Sequence, residues 1–133
     1  GTDPDEAARF ARETGVDAMA ISVGNVHLQQ NREGGLDEQR IRAIEALTSV
    51  PLVIHGGSGV PVAQRSALAT GSSICKFNIG TELRMAFGAA LREAVNRDPE
   101  CFDRVAILRQ THDPVMAAAR TVIRAFGAPA RKA

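Results

Sequence analysis

Three short apolar runs, residues 17–24 (DAMAISVG), 50–55 (VPLVIH) and 73–80 (SICKFNIG), alternate along the chain with longer segments of helical pattern. This alternation constrains the fold more than any other feature. Runs of this length suit buried strands better than helices, and apolar character on both faces calls for helices above and below the sheet. Consecutive strand–helix–strand units make a parallel sheet, because the intervening helix carries the chain back to the edge where the next strand begins. The class is therefore α/β, with about three parallel strands. Strand starts near residues 18, 51 and 74 fit βα units. A barrel and an open doubly wound sheet are both compatible with that spacing.

The helical segments carry their own boundary signals. Asp3 precedes Pro4, which suits a first helical position, and Glu6 completes a capping box; Ala7, Ala8, Phe10 and Ala11 supply an apolar face, and Gly15 ends the helix. Asp37 caps a second helix with Ile41, Ala43, Ile44 and Leu47 on its buried stripe. A third helix is predicted from about Pro61 to Thr70, stopped by Gly71, and a long fourth one from Thr81 through Leu83, Ala86, Phe87, Ala90, Leu91 and Val95. A helical tail over 102–126 is predicted to break or kink at Pro114. The polar stretch NVHLQQNREGG, 25–35, reads as a loop of the length that tends to carry function in compact domains.

Composition excludes some partners. Lys and Arg number 16 against 15 Asp and Glu, a formal charge of +1, and aromatic residues make up 4% with no Trp or Tyr. Such a chain has no broad field to draw nucleic acid or a membrane surface, and no stacking platforms for single strands. Neither partner is expected. No apolar run approaches the ~18 residues of a membrane span, and no signal-peptide pattern opens the chain. Cys75 and Cys101 are too few for a disulfide framework or a thiolate metal site, and read as reduced thiols of a cytoplasmic protein. The 133 residues are expected to form one partial-barrel domain, residues 1–133, since α/β barrels typically run to about 250. Gly1, directly followed by helix signals, reads as a cut inside a longer protein. Three strands leave two apolar edges, which predicts a homo-oligomer or a complementing chain to cover them.

The chemistry-bearing residues His27, His55 and Asn78 fall just past predicted strand ends, the face where parallel α/β folds collect ligands. In VIHGGSGVP, 53–61, the strand delivers His55 to a fixed place. Gly56, Gly57 and Gly59 let backbone N–H groups turn toward an anion without Cβ obstruction, and Ser58 adds a hydroxyl. With a helix N-terminus near Pro61, this stretch makes a phosphate cradle beside a histidine; a plain tight turn is the alternative. In a parallel sheet His27 would lie beside His55. Two neutral imidazoles in one pocket suit Zn²⁺, whose catalytic sites take three protein ligands, so another ligand must come from outside this sequence or from a residue the pattern does not mark. His112, beside Asp113 and Pro114, reads as a surface or helix-boundary residue.

Together, TDPDEAARFARETGVDAMAISVGNVH, LD, VPLVIHGGSGVP and CKFNIGTELRMAF resemble the C-terminal half of the class II, metal-dependent ketose-bisphosphate aldolases, the fructose- and tagatose-bisphosphate group, from Thr2 to Phe126. HGGSG followed by K-x-N-x-x-T-x-L is the specific part. The resemblance implies an α/β chain that is the C-terminal portion of a TIM (β/α)₈ barrel. It implies a zinc-dependent lyase for reversible aldol cleavage of a ketose 1,6-bisphosphate, fructose 1,6-bisphosphate first, to dihydroxyacetone phosphate and glyceraldehyde 3-phosphate. In that family His27 and His55 match zinc ligands; Gly56, Ser58 and Thr81 match phosphate-binding residues; Asn78 matches an asparagine that contacts substrate hydroxyls near the metal. A monovalent cation near the phosphate is implied as well.

Departures from the family pattern are visible. Leu28 stands where the family usually has glycine after the histidine, and Gly80 where many members carry an acidic residue between the Asn and the Thr. The family's remaining zinc histidine and its proton-transferring aspartate find no match in residues 1–133. A non-catalytic half-barrel that binds phosphate or metal, or acts only in assembly, is the competing expectation. Lys76 shares a face with Asn78 by strand alternation and is expected as a buried, paired cation, with a Schiff-base role as the alternative. Arg84 and Arg92 read as solvated helix residues, Met85, Phe87 and Met116 as core, and Asp17 and Asp37 as turn and cap residues.

Overall fold

The structure, a computed structural model, describes residues 1–24 and 35–127. They divide into two compact units, Gly1–Ile79 and Gly80–Ala133. The first unit runs α1 (Pro4–Thr14), β1 (Met19–Ile21), α2 (Glu38–Leu47), β2 (Leu52–Ile54), a single 3₁₀ turn (Gly57–Gly59), α3 (Val62–Gly71) and β3 (Ile74–Phe77). Its strands form one parallel sheet in the order β1-β2-β3, as the alternation predicts. Met19, Ile21, Ile41, Ile44, Leu52, Ile54, Leu68 and Ile74 close the core between sheet and helices. The central strand β2 is buried at all three residues, whereas β3 turns Cys75 and Lys76 outward.

Local signals set the helix ends. The Asp3 carboxylate accepts from the N–H groups of Asp5 and Glu6 at 3.0 Å, and Gly15 closes α1 in the left-handed region with φ 64°. Asp37 caps α2 by accepting from Arg40 N–H at 2.9 Å. The Thr2 N–H donates to Ser22 O at 2.7 Å, and the Ser22 N–H donates to Thr2 Oγ1 at 2.8 Å, tying the lead into α1 to the end of β1.

The buried stripes are narrower than the sequence suggests. On α1 the alanines 7, 8 and 11 meet the rest of the unit, and Phe10, expected on that face, is about half exposed at its flank. On α2 only Ile41 and Ile44 are buried; Ala43 and Leu47 turn outward because α1 and the sheet cover one narrow arc of the helix. Lys76 is also corrected. The register between β2 and β3 slips after Leu52, which pairs with Ile74 while Val53 pairs with Lys76, so Cys75 is an extra residue on an outer strand and Lys76 is exposed rather than buried.

Glu45 locks α2 to the start of β3. Its Oε1 accepts from the Ser73 N–H at 2.6 Å and the Ser73 hydroxyl at 3.0 Å, and its Oε2 accepts from Arg42, which also donates to Gly71 O at 2.8 Å. Partial burial acts to raise the Glu45 carboxyl, but the Ser73 donors and the Arg42 guanidinium outweigh it and hold the group below its ordinary value of 4.5.

The second unit contains α4 (Thr81–Arg97), α5 (Arg104–Arg109) and α6 (His112–Ala125), with α4 packed on both of the others. Ala90 and Ala94 bury the inner face of α4, while Met85 and Phe87, expected in the core, are exposed, and Met116, expected there too, is half-buried. The tail breaks at Gln110–Thr111 and not at Pro114, which is the third residue of α6. In a first turn the missing proline N–H removes no intrahelical bond, so the helix runs through it.

Two measurements check this packing. Ile44→Ala is expected to cost about 2–5 kcal/mol by urea denaturation, and Leu47→Ala less than about 0.5 kcal/mol, although both lie on the sequence-predicted stripe. A carboxyl depressed by folding contributes stability above its unfolded titration range and loses it as pH falls through the folded value. Wild-type urea midpoints should therefore fall as pH drops below about 4.5, and Glu45→Gln should flatten part of that fall.

Candidate functional site

The site begins where β2 ends. Leu52, Val53 and Ile54 are held by core contacts and by ladders on both sides, and His55 is the first residue beyond them and the first to be exposed. The β2–β3 ladder continues past both strands. Asn78 N–H donates to Ile54 O at 2.8 Å, and Gly57 N–H donates back to Asn78 O at 3.1 Å. These two bonds fix the backbone of Asn78 against the turn that carries His55.

The side chains follow from that backbone. Asn78 Nδ2 lies 3.2 Å from His55 Nδ1 and 3.3 Å from Nε2. An in-plane bond to one ring nitrogen would leave the amide much farther from the other, so near-equal distances set Asn78 against the ring as a whole. The in-plane direction of each ring nitrogen then points away from Asn78, and imidazole nitrogen is a ligand for borderline divalent metals.

The turn needs glycine for two different reasons, and the N–H groups of Gly57 and Gly59, expected to face an anion, donate instead to Asn78 O and Gly56 O. Gly56 has φ 63°, a conformation side chains rarely adopt. Gly57 is pressed against β3's exit: a Cβ there would stand 2.8 Å from Ile79 Cδ1 and 3.3 Å from Asn78 O. The turn closes through Gly59 N–H to Gly56 O at 3.1 Å and Val60 N–H to Gly57 O at 3.2 Å, which buries Ser58 and Val60. Helix α3 follows at once, and its N-cap, Pro61, makes no side-chain capping bond.

His55, Asn78, Gly56 and Ser58 are thus brought together in the first unit. His27 and Leu28 lie outside the described residues. Thr81 is the first residue of α4, in the second unit. Among the described residues no group of three His, Cys, Asp or Glu could hold a metal ion. His112 is exposed, with Nδ1 2.9 Å from Asp113, which agrees with its reading as a surface residue. Arg84 and Arg92 are exposed on α4. Sequence reading passed over Arg65, 1% exposed on α3, because a hydropathy pattern assigns any arginine to the surface. It also passed over Gln64 of the same helix, whose role lies in backbone contacts that no motif records.

Residues 1–131 match the family model described as fructose-bisphosphate aldolase class-II. The chain belongs to the class II fructose-bisphosphate aldolase family. A fructose-bisphosphate aldolase of Geobacillus stearothermophilus is 35% identical over 132 residues, which cover 98% of this chain and 45% of the relative. The YdjI aldolase from Escherichia coli K12 is 32% identical, with a TM-score of 0.72 over 95% of this chain and 44% of that one. The fructose-bisphosphate aldolase of Campylobacter jejuni has a TM-score of 0.70 over 95% of this chain and 45% of its own, and at 22% identity it supports the fold alone. The chain spans less than half the length of these relatives. Its three parallel strands and flanking helices are a portion of the TIM barrel of aldolases, which resolves the choice between a barrel and an open sheet.

The turn geometry makes a stability prediction. Gly56→Ala should cost about 1–2 kcal/mol by chemical denaturation because of the left-handed backbone. Gly57→Ala should cost about 1–3 kcal/mol through crowding of Ile79 and Asn78, and should shift the Asn78 side-chain amide resonances that Gly56→Ala leaves near their original positions.

Proposed function

We propose that this chain supplies metal-binding and phosphate-binding elements for the reversible aldol cleavage of a ketose 1,6-bisphosphate, fructose 1,6-bisphosphate first. What supports the reading most is the contact of Asn78 with His55 beside the turn at Gly56–Gly59. A metal-binding imidazole, a carboxamide and a glycine-rich turn then stand together at the C-terminal ends of parallel strands, where barrel enzymes work.

The residues fit a divalent metal by donor chemistry: His55 is exposed on a rigid strand end, and the family resemblance adds His27 as its companion. When bound, the ion, zinc in this reading, polarises the substrate carbonyl as a Lewis acid. His55 contributes one ligand nitrogen, held in orientation by Asn78. In this reading the Gly56 N–H and the Ser58 hydroxyl hold a substrate phosphate, and the start of α3, with a proline at its cap, favours the negative charge. Thr81 supplies a further phosphate contact on the family pattern. As the C3–C4 bond breaks and its electron pair moves toward the former ketone, the Asn78 amide donates to the oxygen on which charge grows. Proton removal from the C4 hydroxyl is assigned to no residue of this chain. The family's aspartate for that step has no match here.

The products of that cleavage are dihydroxyacetone phosphate and glyceraldehyde 3-phosphate. A monovalent cation beside the phosphate belongs to the same reading. A cytoplasmic setting agrees with the free thiols Cys75 and Cys101. The outer strands β1 and β3 each pair on one side among the described residues, and further barrel strands, a complementing chain or a second copy are proposed to cover the open edges.

Zinc titration and a coupled assay of fructose 1,6-bisphosphate cleavage test the proposal. The chain by itself is expected to bind zinc and inorganic phosphate without turnover, and to gain turnover when mixed with a polypeptide carrying the other strands of a relative's barrel. His55→Ala should abolish zinc binding, and Asn78→Ala should lower kcat of the mixture by about a hundredfold. Binding of zinc and phosphate with no turnover in the mixture would favour the non-catalytic half-barrel instead.

A further inference from the structure

The sheet of the first unit has one covered face and one open face. Ile21, Ile54 and Phe77 pack with Ile41, Ile44 and Leu68 of the helices. Residues that alternate with these along the strands face the other way. Ala20, Val53 and Lys76 stand there in one row, because Ala20 pairs with Val53 and Val53 with Lys76. Ala20 and Lys76, at its two ends, are exposed. His55 and Asn78 follow two residues farther along the same face, about 7 Å on, where their side chains meet.

In a TIM barrel the face that the helices leave free becomes the interior, filled by side chains that the strands contribute in layers. The row beneath His55 and Asn78 brings a cation into such a layer without a counter-charge. Ala20 and Val53 have no polar side-chain atom, and among the described residues Lys76 forms no ion pair. The four-carbon stem of Lys76 adds apolar length to the layer, but its ammonium loses water that neither neighbour replaces once strands close over it. A buried ammonium stays charged only when a carboxylate and further hydrogen bonds meet it. The acidic group has to come from the strands that complete the layer.

We propose that the open sheet face is an interaction surface for the strands that complete the barrel, and that it selects them by charge: the Lys76 ammonium pairs with a carboxylate that those strands project into the Ala20–Val53–Lys76 layer. This rests on the reading above in which further barrel strands cover β1 and β3. Two observations name that occupant. The chain covers 45% of one aldolase relative and 44% of a solved aldolase with a TM-score of 0.72, so the barrel it belongs to has strands beyond these three. The row itself carries a single positive charge among apolar side chains, which a carboxylate complements and a wholly apolar partner face does not. The pair also sets register, because a strand slipped by one residue turns its inward side chains to the other face and withdraws the carboxylate.

The test mixes the full chain with a polypeptide carrying the barrel strands of the Geobacillus stearothermophilus relative that this chain does not match. Association is followed by sedimentation, and lysine exposure by pulsed reductive methylation with peptide mapping. Lys76 and Lys132 are the two lysines of the sequence, so the map reads each separately. In the complex Lys76 is expected to label far more slowly than in the free chain, and Lys76→Met to weaken association about a hundredfold, since the carboxylate loses its partner. Replacing the inward-facing Asp and Glu residues of the polypeptide by Leu, one at a time, should find one that weakens binding of the parent chain by a similar factor and costs nothing with Lys76→Met, as a direct pair requires. Association with Lys76 labelled at its free-chain rate overturns the inference, as does parent-like binding by Lys76→Met, or by Lys76→Gln should the first variant fail to fold. Concentration-dependent protection of Lys76 in the chain alone would give the face to a second copy and overturn it too. Failure of the parent chain to associate with the polypeptide at all overturns the reading of covering strands instead.

Discussion

The pairing of β2 with β3, carried past the last residue of each strand, is the constraint from which the rest of the candidate site follows. Two backbone bonds, Asn78 N–H to Ile54 O and Gly57 N–H to Asn78 O, turn what would be two loose strand exits into one rigid corner. His55 leaves that corner from a strand buried at every residue, so its position inherits the stiffness of the core. Asn78 meets it because the same two bonds set its backbone beside the residue that follows Ile54. The glycine turn is shaped by the same corner, since Gly57 has no room for a Cβ against Ile79 and Asn78.

Around this corner the first unit uses side chains to stitch successive βα units together. Glu45 joins α2 to the entry of β3 through Ser73, and Arg42 joins the same helix to the end of α3. Gln64 does for the return to α2 what Glu45 does for the entry to β3. Each of these residues occupies a helix position that hydropathy alone would leave to solvent, and each spends its polar atoms on backbone groups of another element. A parallel sheet needs such ties, because its connections are long and the strands contribute only three or four residues each to the ladder.

Helix caps and element order were legible because they are local. Asp3, Gly15 and Asp37 sit within a few residues of the groups they satisfy, and a parallel α/β sheet follows from the alternation of periods. The lateral extent of each buried face was not legible: Phe10, Leu47, Phe87 and Lys76 were misplaced, because how much of a helix or strand is covered depends on its neighbours. The break before α6 was misassigned to Pro114 for a related reason, since a proline ends a helix only when it stands beyond the first turn.

For the candidate site, the residue types were readable and their mutual geometry was not. The motif HGGSG and the later asparagine pointed to the family to which the chain belongs. That Asn78 lies against the His55 ring, and that Gln64 holds Leu36 by both backbone groups, came from tertiary structure. Sequence by itself determined the order of elements, their caps and the inventory of donors, all of which are set by short-range sterics and by the chemistry of single side chains. Only the folded chain decided which donors face each other, because strand register and helix coverage are collective properties of a packed core.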